Sequence, residues 1–150
     1  MIIRDILSMK GGSIFSMAPD GKVSGAVGMM VKNDIGSLVV MDGGRMIGML
    51  TFREVLKALD AQGGDLADVR IREVMVADPI IGNPDDTLDN LREVMTKNHI
   101  RYLPILDGDR LLGVISFHDV AKSVIKETSF ENRLLKRYIK NWPEGDAAPK

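Results

Sequence analysis

The chain has no cysteine in 150 residues, which removes disulfides, thiolate nucleophiles and cysteine-type zinc sites. It has no dominant charge either: 20 Lys and Arg stand against 21 Asp and Glu, a formal net charge of −1. Such a chain generates no strong field to gather nucleic acid or an anionic membrane, so neither is expected as a partner. No apolar run approaches the length of a membrane span, and Met1-Ile2-Ile3-Arg4-Asp5 lacks a signal-peptide pattern. Together with the absence of cysteine this fits a cytoplasmic protein. Also missing are a P-loop, a Gly-x-Ser-x-Gly elbow, a His-Glu-x-x-His helix and a Cys-His pair, so the chain reads as a non-enzyme. His99 has no carboxylate or second histidine at ligand spacing, so no metal is expected.

What the chain does have is an internal repeat. The run Leu38-Val39-Val40-Met41-Asp42-Gly43-Gly44-Arg45-Met46-Ile47-Gly48-Met49-Leu50-Thr51-Phe52-Arg53-Glu54-Val55 returns 65 residues later as Leu103-Pro104-Ile105-Leu106-Asp107-Gly108-Asp109-Arg110-Leu111-Leu112-Gly113-Val114-Ile115-Ser116-Phe117-His118-Asp119-Val120. A fixed period means one structural unit built twice. Two such units can stack around shared core and leave two equivalent clefts. The apolar fraction of 45% is enough for that core, and the 10 methionines read as soft packing within it.

Each unit reads as helix, strand, strand, helix after a short extended segment. Leu88, Leu91, Val94 and Met95 fall at helical spacing, with Thr87 or Asp86 as N-cap. Leu103–Leu106 and Leu111–Ile115 read as buried strands joined by a turn at Asp107-Gly108. Phe117, Val120, Ala121, Val124 and Ile125 open a second helix, and the first unit copies the pattern from Val23 to Leu59. Ala61-Gln62-Gly63-Gly64-Asp65 reads as a linker. The spacing predicts a separate amphipathic helix over 128–142, with Phe130, Leu134 and Tyr138 on one stripe and Arg133, Lys136, Arg137 and Lys140 on another. Residues 143–150 hold too little apolar surface to order themselves. Gly25 and Gly28, costly inside a helix, suggest close packing there, as across a dimer.

The chemistry sits where the second strand runs into the second helix. In Gly113-Val114-Ile115-Ser116-Phe117-His118-Asp119 the Ser-x-x-Asp spacing fits a capping box. The same helix start offers free N–H groups and a positive dipole end, suited to phosphate. Gly113 lets a ligand or a neighbouring backbone approach. His118 and its counterpart Arg53 flank this turn.

Two copies of Gly-apolar-apolar-[Ser/Thr]-x-x-acid, each between a strand hairpin and an apolar helix, together with Ser13–Asp20, Asp78–Asp85 and Arg101-Tyr102-Leu103-Pro104-Ile105, resemble the CBS domain family, named for cystathionine β-synthase. A tandem pair of these domains is called a Bateman module. The resemblance implies an α/β (α+β) fold of two βαββα repeats, over 3–61 and 70–127, related by a pseudo-twofold axis, with small sheets packed against helices. It implies clefts that take adenosine-containing ligands: AMP, ADP, ATP, or sometimes S-adenosylmethionine or NAD. By that resemblance Asp119 holds the ribose hydroxyls, Ser116 a phosphate oxygen, and Ile80 and Ile81 flank the adenine, with Tyr102 and Pro104 in the same pocket. The counterparts in the first repeat are Thr51, Glu54, Phe15, Ser16, Ser37 and Val39. The family acid is Asp or Asn, so Glu54 departs from the pattern; it is expected to serve the capping box, and Asp119 the ligand. The resemblance implies a homodimer and a stand-alone regulatory module that signals to a separate partner. A structural scaffold with vestigial sites, or a weak nucleotide-processing enzyme, would carry the same residues.

Overall fold

The computed structural model describes residues 1–11 and 13–140. The first repeat begins with helix α1 (Ile3–Lys10), strand β1 (Ser16–Met17), helix α2 (Val23–Asn33), strands β2 (Ser37–Asp42) and β3 (Arg45–Thr51), and helix α3 (Phe52–Ala61). The second runs through α4 (Ile71–Val74), β4 (Val76–Ala77), α5 (Leu88–Lys97), β5 (Tyr102–Asp107), β6 (Arg110–Ser116) and α6 (Phe117–Lys140). Both hairpins turn where Gly tolerates positive φ: Gly43 and Gly44 in one, Gly108 in the other. Both carry a bulge at the same place, Val40/Met41 and Ile105/Leu106.

The two repeats exchange their leading segments. Helix α1 opens the first repeat yet buries Ile3 and Ile6 among Leu88, Leu91, Met95, Leu103, Ile105 and Ile115 of the second. Val69 and Ile71, at the start of the second repeat, complete the core of the first with Val23, Ala26, Leu38, Val40 and Leu50. The backbone repeats this reciprocity: Ile3 N–H donates to Asp86 C=O at 2.9 Å and Ile71 N–H to Gly21 C=O at 2.9 Å. Each docked helix starts with an acid that accepts the N-cap amide, Asp5 from Ile2 and Glu73 from Arg70, as a helix N-terminus requires. Strand β4 likewise joins the other repeat's sheet, pairing Gly48 with Ala77 and Met49 with Val76. The first sheet has the order β1-β2-β3-β4, while β5 and β6 form the second, with Gly82 bridging Ile105 where β1 would lie. Each core therefore needs residues from both repeats.

Helix α1 precedes the extended segment expected over Ser13–Asp20, within which Ser16 and Met17 form β1. Ile3, Ile6 and Leu7 supply the helical spacing that the repeat pattern obscured. The separate helix expected over 128–142 is instead the distal part of α6, because no Gly or Pro interrupts 117–140. The stripe at Phe130 and Leu134 is exposed. Trp142 and the tail 143–150 lie outside the described residues. Around Gly25 a Cβ would meet only the end of Met17 at 3.5 Å, and around Gly28 nothing; neither glycine is there for close packing within the chain.

Candidate functional site: two clefts at helix starts

Two clefts lie between the repeats. The first, of about 1210 Å³, is lined by Phe15, Ser37 and Val39 of the first repeat and by Ser116, Phe117 and His118 of the second, with Lys10 at the end of α1. The second, of about 740 Å³, joins Thr51, Arg53, Glu54 and Lys57 of the first repeat to Asp78, Pro79 and Ile80 of the second. Each cleft thus meets the N-terminus of a helix, α6 in one and α3 in the other.

This regroups the residues singled out in the sequence. Ile80 faces Thr51 and Glu54, not Ser116, while Phe15, Ser37 and Val39 face Ser116. In each cleft the helix start of one repeat faces strand and loop residues of the other. Tyr102 lines both clefts. Five expected residues line neither, Asp119 among them, its carboxylate engaged by Lys10 and the Ser116 amide. Ile81 is 51% exposed outside them, and Ser16 sits in β1 opposite Val39. Pro104 is buried, its carbonyl accepting the Gly82 N–H at 2.9 Å. At Gly113 a Cβ would lie 2.9 Å from Leu7 Cδ2, so the missing side chain admits α1, not a ligand. Its counterpart Gly48 admits β4, whose Val76 carbonyl would be 2.7 Å from a Cβ.

The two helix starts are built differently. At α6 the capping box is complete: Ser116 N–H donates to Asp119 Oδ2 at 2.8 Å, and Asp119 N–H donates to Ser116 Oγ at 3.1 Å. Asp119 also receives Lys10 Nζ on Oδ2 at 2.7 Å, and the same ammonium donates to Val114 C=O at 2.6 Å. Burial opposes ionisation of Asp119, but the bonds from Lys10 and Ser116 and the Lys10 charge outweigh it and hold the carboxyl below the ordinary carboxylate range. At α3, Thr51 Oγ1 accepts the Arg53 N–H at 3.3 Å and donates to Glu54 Oε2 at 2.8 Å. Glu54 is only 9% exposed. The extra methylene carries its carboxylate past the Thr51 amide to the hydroxyl. Asp119 thus closes the capping box that its spacing fits, whereas Glu54, expected to serve one, does not.

Between the clefts, Phe52 and Tyr102 meet edge to face at 6.4 Å, and Arg101 Cζ lies 5.6 Å over the Phe52 ring. Burial raises the Tyr102 phenol above its ordinary value, with Arg101 opposing, so it stays a neutral hydroxyl. Sequence reasoning missed Lys10, Arg101 and the residues Asp34 and His99 that bracket this wall. Asp34 and His99 take left-handed backbone at φ 52° and 53°, and both follow a helix-terminal asparagine. That Asn-x end, repeated at the same offset, was the available signal.

A family model described as the CBS domain matches residues 3–61 and 71–126. The chain is similar to the CBS domain-containing protein YhcV of Bacillus subtilis, 29% identical over 116 residues, spanning 77% of this chain and 82% of that protein. Among solved structures it is similar to the CBS-domain containing protein ATU1752 from Agrobacterium tumefaciens, with a TM-score of 0.78 and 31% identity over 82% of this chain and 98% of that one. The CBS domain pair of protein MJ0100, in complex with 5′-methylthioadenosine and S-adenosyl-L-methionine, shares the fold at a TM-score of 0.74 and 23% identity, over 85% of this chain and 98% of that one.

Proposed function

Because the chain belongs to the CBS-domain family, we propose that it is a regulatory module that binds an adenosine-containing ligand between its repeats and reports occupancy to a separate partner. The observation that carries this reading is the composition of the clefts. Each combines a helix N-terminus bearing a hydroxyl with an apolar segment from the opposite repeat and a lining acid, Asp34 in the first cleft and Glu54 in the second. A ligand seated there touches both halves of the chain, so its binding energy acts on their relative placement. Phosphate suits the helix start, the acids suit sugar hydroxyls, and Phe15, Val39 or Ile80 supply an apolar wall for a base. MJ0100's ligands make adenosine compounds the first class to test, with AMP, ADP, ATP and NAD as the phosphate-bearing candidates.

A homodimer is part of the proposal. Val31, Ile125, Phe130 and Leu134 expose apolar surface on α2 and α6, and a symmetric self-contact is the commonest way to cover such faces. Thermal melts test the ligand reading. A ligand that binds only the folded state adds about 2.7 kcal/mol at 100 times its dissociation constant, roughly 5–10 °C for a chain of this size. Adenine nucleotides should give that shift and GMP or ribose phosphate should not. A flat response to every adenine compound at millimolar levels would leave a scaffold with vestigial clefts.

A further inference from the structure

The two clefts share a wall: His99, Ile100, Arg101 and Tyr102 line both. The internal repeat supplies no second arginine, because the position 65 residues before Arg101 is Gly36, which lines only the first cleft. The Arg101 guanidinium lies over Phe52, the first residue of α3, in the second cleft. Its carbonyl accepts the N–H of Phe117, the first residue of α6, at 2.7 Å in the first cleft. One residue therefore stands between the two helix starts, with its backbone tied to one and its charge resting at the other.

From this, and resting on the adenosine reading above, we infer that Arg101 is a single cation shared by two phosphate positions, so that a phosphate-bearing ligand in one cleft weakens the binding of a second in the other. A guanidinium stays charged at all working pH values and commits its fork of donors to one phosphate at a time. The first phosphate takes it. The second then enters a cleft whose shared cation has turned away, across a thin wall from an added negative charge. Neutral adenosine makes no such demand, so the coupling depends on ligand charge. Coupling is reciprocal: whichever cleft fills first, the other is weakened by the same factor.

Site-resolved NMR tests this, following the amides of His118 in the first cleft and Leu56 in the second during separate titrations with adenosine and AMP. In the unaltered protein, AMP should give curves broader than a single hyperbola at both amides, with the two binding steps roughly tenfold further apart than for independent sites. Adenosine should give a simple hyperbola at each. Arg101→Gln should return the AMP curves to hyperbolas, while Arg101→Lys, which keeps the charge, should retain the broadening. Arg101 is exposed, and a melt of each variant confirms its folding. Independent AMP hyperbolas in the unaltered protein, or broadening that survives Arg101→Gln, would overturn the inference. If neither adenosine nor AMP moves either amide, the adenosine reading itself fails.

Discussion

Lys10 Nζ stands 2.7 Å from Asp119 Oδ2, which fastens the end of the first helix to the start of the last. The pair crosses between repeats, since α1 leads one and α6 ends the other. Asp119 keeps 17% of its side-chain surface exposed and Lys10 34%, so water screens the contact only in part. The carboxylate is depressed below its ordinary range by Lys10 and Ser116 acting against burial. A depressed acid contributes stability that is fully present above the unfolded carboxylate range and is lost as pH falls through its folded value. The acid limb of the melting-temperature profile should therefore be shallower in Asp119→Asn than in the unaltered protein. Parallel limbs in circular dichroism melts from pH 6 down to pH 2.5 would contradict the linkage.

The two helix starts should differ in what their acids contribute to the fold. Asp119→Ala removes a closed capping box and a cross-repeat ion pair, and should cost about 1–2 kcal/mol. Glu54→Ala removes one hydroxyl contact from a buried carboxylate, and should cost less than half as much. Urea denaturation of both variants checks the order. A larger loss at Glu54 would mean that the complete box at α6 is not what stabilises its helix start.

The exchanged segments predict a long reach for single core changes. Ile3 is fully buried against the second repeat and Ile71 against the first. Ile3→Ala should cost about 2–5 kcal/mol, and Ile71→Ala a similar amount. Hydrogen exchange should show the Ile3 variant losing protection first in β5 and β6, strands over ninety positions away. Loss confined to the first repeat would contradict the exchange.

Gly48 and Gly113 occupy equivalent positions with unequal neighbours. A Cβ at 48 would meet the Val76 backbone carbonyl at 2.7 Å, whereas at 113 it would meet the end of Leu7 at 2.9 Å. Backbone cannot step aside as a side chain can. Gly48→Ala should cost about 3 kcal/mol and Gly113→Ala about 1 kcal/mol. Thermal melts of the pair read the difference directly.

The repeat, the hairpins and the Thr87 cap were legible in the sequence because local chemistry dictates them: buried alternation, Asp-Gly turns and a hydroxyl before an apolar helix. The exchange of α1 and α4 was not, because Ile3 and Ile71 look alike whichever core receives them. The family resemblance groups Ile80 with Asp119, whereas the fold sets Ile80 beside Glu54, because which cleft a segment lines depends on its tertiary placement. Lys10 and Arg101 escaped notice for the same reason, since an exposed cation gains a role only from what the topology sets beside it.

The central claim is that the clefts between the repeats hold an adenosine-containing ligand, and isothermal titration of the ligand-free protein with AMP, with GMP as the control, tests it most directly. The account predicts saturable AMP binding with a dissociation constant below 1 mM, at least tenfold tighter than GMP, which corresponds to a preference of about 1.4 kcal/mol or more. Absence of saturable heat with AMP, ADP, ATP, NAD and S-adenosylmethionine alike at millimolar concentrations would contradict it.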